Sequence, residues 1–419
     1  MTEEDIRNAV ESLARQARAA SYRLSQLTTD EKNAILRAMA SGIREFSAEL
    51  IQANAKDLEA AVSKGLSGAM VDRLRLDGER IEAMARGIEE VAELPDPVGQ
   101  VMESWTRPNG LHLEQVRVPI GTVGIIFESR PNVTSDAAVL CLKTGNATIL
   151  RGGSEAIHSN RAIAEVLSRS GEEAGLPEHA IQLIPFTDRS SVAALCSMDK
   201  WLDVIIPRGG RGLIETVVSL ARMPVIKHYD GICHTYIDSA ADLEMGLGIT
   251  INAKTHKPGV CNALETLLVH RSVAEAFLPG AAAALREKGV ELRGCDRTRA
   301  VIDCDPAAEE DWDTEYLDLI LAIKVVDSLD EAIDHINTHG SHHSDCIVTS
   351  DEATAARFLS AVDSACVFHN ASTRFADGGE FGFGAEIGIS TEKLHARGPM
   401  GLRELTSYQY RIRGAGQIR

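Results

Sequence analysis

The sequence has no apolar run approaching the ~20 residues needed to cross a bilayer. Its opening residues, Met1-Thr2-Glu3-Glu4-Asp5, are acidic, whereas a secretory leader starts basic and turns apolar. A cytoplasmic protein without membrane contact is expected. Basic residues are in deficit, 43 against 61 acidic ones, for a formal charge of −18. That balance argues against non-specific nucleic-acid binding, because phosphates would be repelled. It leaves room for a local basic pocket for a small phosphorylated molecule. None of the eight cysteines, Cys141, Cys196, Cys233, Cys261, Cys295, Cys304, Cys346 and Cys366, forms a C-x-x-C pair. Neither a disulfide framework nor a cysteine-type zinc site is therefore suggested. No internal repeat or low-complexity linker divides the chain.

What is present is an ordinary globular composition, 44% hydrophobic over 419 residues. That is enough for two or three domains and for a large core without staples. The first hundred residues read as helical. Ile35, Leu36, Met39, Ile43, Phe46, Leu50 and Ile51 recur at helical spacing, with Thr29 or Asp30 as N-cap and Gly65 as a stop. A second helix is expected over 78–94.

Residues 111–119 alternate as a half-buried strand. Strands at 121–127, 147–150, 182–185, 204–207 and 224–227 then alternate with helices at 135–144, 155–171, 189–197 and 213–221. From Cys233 the pattern resumes with helices at 243–254, 273–288, 329–338 and 351–361 and strands at 265–270, 319–326 and 346–349. A last alternating stretch runs from 405 to 412. Strand–helix alternation with short turns signals βαβ units, a parallel sheet and ligand sites at the carboxyl ends of the strands.

Several stretches could carry chemistry. Arg208-Gly209-Gly210-Arg211-Gly212 leaves a strand for a helix. Gly209, Gly210 and Gly212 would let the backbone approach a phosphate at a helix N-terminus, or they make a tight turn. The G-x-G-x-x-G fingerprint is absent. Arg151-Gly152-Gly153-Ser154 suits a phosphate through Arg151, or is a helix start capped by Ser154. Cys261 alone among the cysteines follows a loop with basic residues, His256 and Lys257, together with proline and glycine. Nearby positive charge favours a reactive thiolate. Asn132 could donate to an oxyanion, or make an Asx turn. Ser372, Thr373 and Arg374 offer what a substrate carboxylate needs, or form a solvated loop. His342 and His343 are adjacent, project differently and lack an acid–histidine cluster at ligand spacing, so no metal is expected.

These stretches bear a family resemblance. Pro119-Ile120-Gly121-Thr122-Val123-Gly124 resembles the P-x-G-V-x-G strand of the aldehyde dehydrogenase superfamily. Within that superfamily, Phe127 to Thr134, His256 to Thr266, Ser372 to Gly382 and His395 to Leu402 resemble the branch that reduces glutamyl phosphate. The resemblance spans essentially the whole chain.

It implies an α/β fold with two α/β domains bearing parallel-type sheets, plus a small β-flap for oligomerisation. The expected parts are an NADP-binding domain at 1–110 and 120–232 and a catalytic domain at 233–370. The flap would comprise 111–119 and 403–419, and 371–402 would be a glycine-rich return. It further implies reduction of L-glutamyl 5-phosphate by NADPH to L-glutamate 5-semialdehyde and phosphate, the second step of proline biosynthesis. Cys261 would be the nucleophile and Asn132 the oxyanion donor. Arg151, Ser154, Gly209, Gly210, Gly212 and Glu315 would bind cofactor. His256 and Lys257 would meet the phosphate, and Ser372, Thr373 and Arg374 the glutamyl carboxylate. A homodimer or dimer-based oligomer is implied, with glutamate 5-kinase as a separate functional partner.

Two departures from the superfamily bear on these expectations. Oxidative members carry a water-activating glutamate where this chain reads His228-Tyr229-Asp230-Gly231. A reductase has no need to hydrolyse its thioester, although Asp230 could substitute. NAD-preferring members often place a glutamate where Ser154 stands, and serine beside Arg151 would suit a 2′-phosphate. The alternatives are a CoA-acylating or plain oxidative aldehyde dehydrogenase, and a non-catalytic binding protein on the same fold.

Overall fold

A computed structural model describes residues 1–128 and 130–419, without the side chain of Ala69; Ser129, within one of the resemblance motifs, lies outside the described residues. The chain divides into two compact units. The first comprises 1–227, 382–388 and 400–419, and the second 228–381 and 389–399.

The first unit opens with the helices Glu3–Leu24, Thr29–Glu45, Ser47–Ser63, Gly68–Leu74 and Gly78–Glu93. Capping boxes start two of them. Thr2 and Asp5 exchange backbone-to-side-chain bonds, and so do Thr28 and Glu31, satisfying N–H groups that the first turn leaves over. The cap of the second helix is thus Thr28, one residue before the expected position. The single helix read through Ile51 is broken at Phe46 (φ −96°, ψ 19°). Arg169 stacks on the Phe46 ring 3.8 Å from its centroid. Just before the break, Gly42 lets Thr29–Glu45 approach Ile157–Glu173, since a β-carbon at Gly42 would meet Ser170 Oγ at 2.0 Å.

Against these helices lies a four-stranded parallel sheet in the order Ile181–Leu183, Ala147–Arg151, Thr122–Phe127, Val204–Arg208. Every residue of Thr122–Phe127 is buried. Burial on both faces explains why this strand reads as a continuous apolar run and not as an alternating one. The stretch 224–227, read as a strand, makes only an isolated bridge between Val225 and Ile205.

Also in the first unit, Val101–Thr106, His112–Pro119 and Thr406–Arg413 form an antiparallel sheet with His112–Pro119 in the centre. Tyr408, Tyr410 and Ile412 on its outer strand are at least half exposed.

The second unit is built on a seven-stranded parallel sheet. Its order is Asp305–Pro306, Glu291–Gly294, Ile320–Val326, Leu264–His270, Cys233–Ile237, Ser344–Val348, Cys366–His369. Side chains alternate across it, as the two-residue period of a strand requires. Ile237, Leu267, Val269, Cys346 and Val348 pack with the helix Arg271–Glu287. Tyr236, Leu268 and Ile347 pack on the other face with residues of Leu329–His339 and Glu352–Ala361. A fully buried ion pair, Lys254 Nζ to Glu265 Oε2 at 2.6 Å, ties the helix Leu243–Thr255 to the strand Leu264–His270.

Candidate active site

In the second unit, Cys261 sits on the turn between Leu243–Thr255 and Leu264–His270, half-buried. Its backbone is gripped from several sides. The Ala263 amide donates to the Val260 carbonyl at 3.0 Å. Cys233 Sγ donates to the Cys261 carbonyl at 3.2 Å. Gly231 presses on the same carbonyl so closely that a β-carbon there would lie 1.9 Å from its oxygen. The Gly231 amide in turn donates to Glu315 Oε1 at 2.9 Å. Burial raises the Glu315 carboxyl above its ordinary value, and this hydrogen bond opposes the rise.

The glycine-rich return locks the turn from the other side. Thr373 Oγ1 donates to the Asn262 carbonyl at 2.8 Å, and Asn262 Nδ2 donates to the Ala376 carbonyl at 3.0 Å. Ser372 Oγ accepts from the Arg374 amide as a cap. The hydroxyls of Ser372 and Thr373 are therefore engaged in holding backbone. Arg374 is the member of that trio with an unmatched group, a buried Nε without a hydrogen-bond partner. His256 and Lys257 are exposed on the approach to Cys261.

Two histidines that sequence reasoning did not join to Cys261 stand beside it. One ligand atom each from His228, Cys261 and His343 lies within 4.8 Å of the others. His228 Nδ1 is 2.8 Å from the Ile389 carbonyl oxygen. A carbonyl only accepts, so the proton sits on Nδ1 and a neutral ring carries its lone pair on Nε2. His343 is fully buried. Burial first, and His228 second, pull it down to about 3, so it is neutral at physiological pH. Its neighbour His342 faces elsewhere, with Nδ1 2.6 Å from the Asp363 carbonyl oxygen. No local spacing could have paired residues 228 and 343; the sheet does so, because both lie just before neighbouring strands, Cys233–Ile237 and Ser344–Val348.

In the first unit, Asn132 opens the helix Asn132–Lys143, and its Nδ2 donates to Asp136 Oδ2 at 2.8 Å. The Asp136 carboxyl keeps solvent access, yet protein crowds it enough to push it up to about 6, against the pull of Asn132 and Arg208. Gly209 and Gly210 make the turn from Val204–Arg208 into Arg211–Leu220, a helix with no side-chain cap. Instead the Gly210 amide donates to Glu128 Oε2 at 2.9 Å. A β-carbon on Gly209 would stand 2.4 Å from that oxygen. The turn thus already binds an anion, as helix N-termini do. Gly212 lies inside the helix, with open space where a β-carbon would project.

Ser154 is exposed at the start of a short 3-10 turn. Arg151 is buried and its guanidinium bonds carbonyls: Nη1 to Gly152 at 3.1 Å and Nη2 to Thr187 at 3.0 Å. It holds the loop after Ile181–Leu183 against the turn bearing Ser154.

With the geometry described, comparison with known proteins places the chain. The profile of the aldehyde dehydrogenase family matches residues 1–297. The chain belongs to this family, whose members use nicotinamide cofactors. Within the family it groups with the gamma-glutamyl phosphate reductases. The gamma-glutamyl phosphate reductase of Moorella thermoacetica is 59% identical over 411 residues, 98% of each chain. The crystal structure of gamma-glutamyl phosphate reductase from Thermotoga maritima superposes with a TM-score of 0.97 at 48% identity, over 98% of this chain and 99% of that one. An acetylating aldehyde dehydrogenase from Geobacillus thermoglucosidasius shares the fold at 18% identity and a TM-score of 0.69, over 100% of this chain and 99% of that one. Among the described residues, no helix is long and apolar enough to cross a membrane.

Proposed function

We propose that the protein reduces L-glutamyl 5-phosphate to L-glutamate 5-semialdehyde and phosphate, at the expense of NADPH, as the second step of proline biosynthesis from glutamate. The observation that carries this reading is Cys261, held half-open on a turn whose carbonyl and flanking residues are pinned by Cys233, Gly231 and Thr373. The near full-length relation to named reductases supports it.

The Cys261 thiolate attacks the acyl carbon. The carbon–oxygen bond to phosphate breaks, and phosphate leaves with the electron pair, giving a thioester. Asn132 is assigned an amide N–H to the developing oxyanion, a type of donor typically worth about 3–4 kcal/mol. NADPH, when bound, supplies the hydride. The reduced carbon then expels the Cys261 sulfur and leaves as the aldehyde. The stretch His228-Tyr229-Asp230-Gly231, where oxidative relatives carry a water-activating glutamate, holds none, which favours a thioester that persists until it is reduced.

The cofactor assignment rests on the first unit. Gly209 and Gly210 offer a turn that already binds a carboxylate, and Gly212 continues it into the helix. Ser154 brings no acid to meet a 2′-phosphate. Arg151 orders that turn from behind. Glu315, fixed by the Gly231 amide, is assigned to the nicotinamide ribose. His256 and Lys257 would receive the leaving phosphate, and Arg374, oriented by Ser372 and Thr373, the substrate carboxylate. A cytoplasmic homodimer formed through the exposed edge of Thr406–Arg413 follows from the cost of leaving such an edge bare. Glutamate 5-kinase would be the functional partner that supplies the labile acyl phosphate.

The reaction run in reverse tests the reading. L-glutamate 5-semialdehyde, NADP and phosphate should yield NADPH. Turnover that ignores phosphate would point to an oxidative dehydrogenase and to Asp230 as the base.

A further inference from the structure

We propose that His228, Cys261 and His343 form a site for a zinc ion, which caps the Cys261 thiol and switches the protein off reversibly. This goes beyond the reductase reading, because it rests on where Cys261 stands and not on the reaction it performs.

Three side chains from three separate segments bring a ligand atom each to within 4.8 Å of one another. Zinc bonds of about 2.0–2.3 Å at tetrahedral angles need ligands only about 3.4–3.8 Å apart, so a small closure of side chains suffices. Two imidazoles and a thiolate suit zinc or cobalt, whereas magnesium and calcium prefer oxygen.

The outer contacts are those of a metal site. His228 is oriented through Nδ1 by the Ile389 carbonyl. His343 Nδ1 stands 2.9 Å from Ser344 Oγ. Metal-bound histidines are commonly held by such partners on the far nitrogen. The decisive observation is His343 Nε2, fully buried and without a hydrogen-bond partner. A buried polar atom left in that state costs about 1–3 kcal/mol unless something satisfies it, and a cation between the two rings would do so. Cys261 and His228 are half-buried, which leaves the ion an entry.

On binding, the S–H bond breaks, a sulfur–metal bond forms, and the proton goes to solvent. Three protein ligands leave a fourth position for water. The sulfur lone pair that would attack substrate is then committed to the metal, and a chelator restores it.

Cobalt titration of the metal-free full-length protein tests this without turnover, so its failure is distinct from failure of the reductase assay. One equivalent of Co²⁺ should give a thiolate-to-cobalt charge-transfer band and tetrahedral d–d bands. Zn²⁺ should displace the cobalt and protect Cys261 from iodoacetamide. Cys261→Ser should lose the charge-transfer band. His228→Gln and His343→Gln should each weaken binding by at least about tenfold, a cost already usual for losing an outer partner. His228 is half-buried, so its variant keeps the test valid should the His343 variant fail to fold. Absence of the charge-transfer band at saturating Co²⁺, or unchanged affinity in His228→Gln, would overturn the proposal.

Discussion

Gly231 lies against Cys261 so tightly that a β-carbon on it would sit 1.9 Å from the Cys261 carbonyl oxygen and 2.4 Å from its α-carbon. The contact is backbone on backbone, so no side chain can move aside to relieve it. Gly231→Ala should push the Cys261 turn out of place. The expected result is a loss of turnover much larger than the loss of stability, which overpacking usually sets at about 1–3 kcal/mol. Thermal unfolding and steady-state rates on the same preparation measure both, and a variant with wild-type kcat would contradict the role given to this contact.

Thr373 is expected to matter through its hydroxyl and not through substrate. Its Oγ1 donates to the Asn262 carbonyl in a fully buried place. Thr373→Val keeps the shape and removes the donor, at a cost of about 1–3 kcal/mol for the acceptor left unpaired. Denaturant unfolding should show that loss, and iodoacetamide should label Cys261 at an altered rate. An unchanged labelling rate would mean that the hydroxyl does not hold the Cys261 turn.

The buried pair Lys254–Glu265 sets a pH dependence whose sign follows from burial. Desolvation pushes the Glu265 carboxyl up to about 7, and Lys254 pulls against that rise. In Lys254→Met the pull is gone, so the folded value climbs further above the unfolded 4.5. A raised acid favours the folded state below its unfolded pKa, and that favour is lost as pH rises through the folded value. Lys254→Met should therefore be most stable near pH 4.5 and weaken progressively through neutrality. Removing one partner of a buried pair costs about 3–5 kcal/mol, while replacing both with apolar groups costs far less. Urea unfolding of Lys254→Met, and of that change combined with Glu265→Leu, across that pH range checks both statements. A flat pH profile in the single variant would contradict the first.

The outer strand Thr406–Arg413 exposes Tyr408, Tyr410 and Ile412. Tyr410→Lys puts a charge on that edge, where it opposes strand pairing between copies. Sedimentation should show a weaker self-association than in the parent chain. Identical behaviour would remove this edge from the assembly.

The parts of the fold legible in the sequence are those whose burial left a pattern. Thr122–Phe127 is apolar throughout because both faces are covered, and His112–Pro119 alternates because it is only partly covered. Val101–Thr106 went unread, since its Val-Met-Glu-Ser-Trp-Thr sequence is exposed almost throughout and has no face to reveal. Cys366–His369, four residues long, is an edge strand with only its first residue fully buried. At the site, the expectation for Cys261 came from the basic, proline- and glycine-bearing loop before it, and the structure sets that residue half-buried on a turn. The engagement of Arg151 with the Thr187 carbonyl was not, because a side chain reaching 36 residues along the chain leaves no local trace. The approach of His228 and His343 to Cys261 was equally silent, being made by strand order alone.

The most direct test of the account is a rapid-mixing experiment with L-glutamate 5-semialdehyde and NADP in the absence of phosphate. A thioester on Cys261 that is released by phosphate and not by water predicts a burst of NADPH equal to the number of chains, followed by near arrest. It also predicts a glutamyl adduct on Cys261 by mass spectrometry, and release of the block when phosphate is added. Continuous turnover without phosphate, or a Cys261→Ala protein that still forms NADPH, would contradict the central role given to this cysteine.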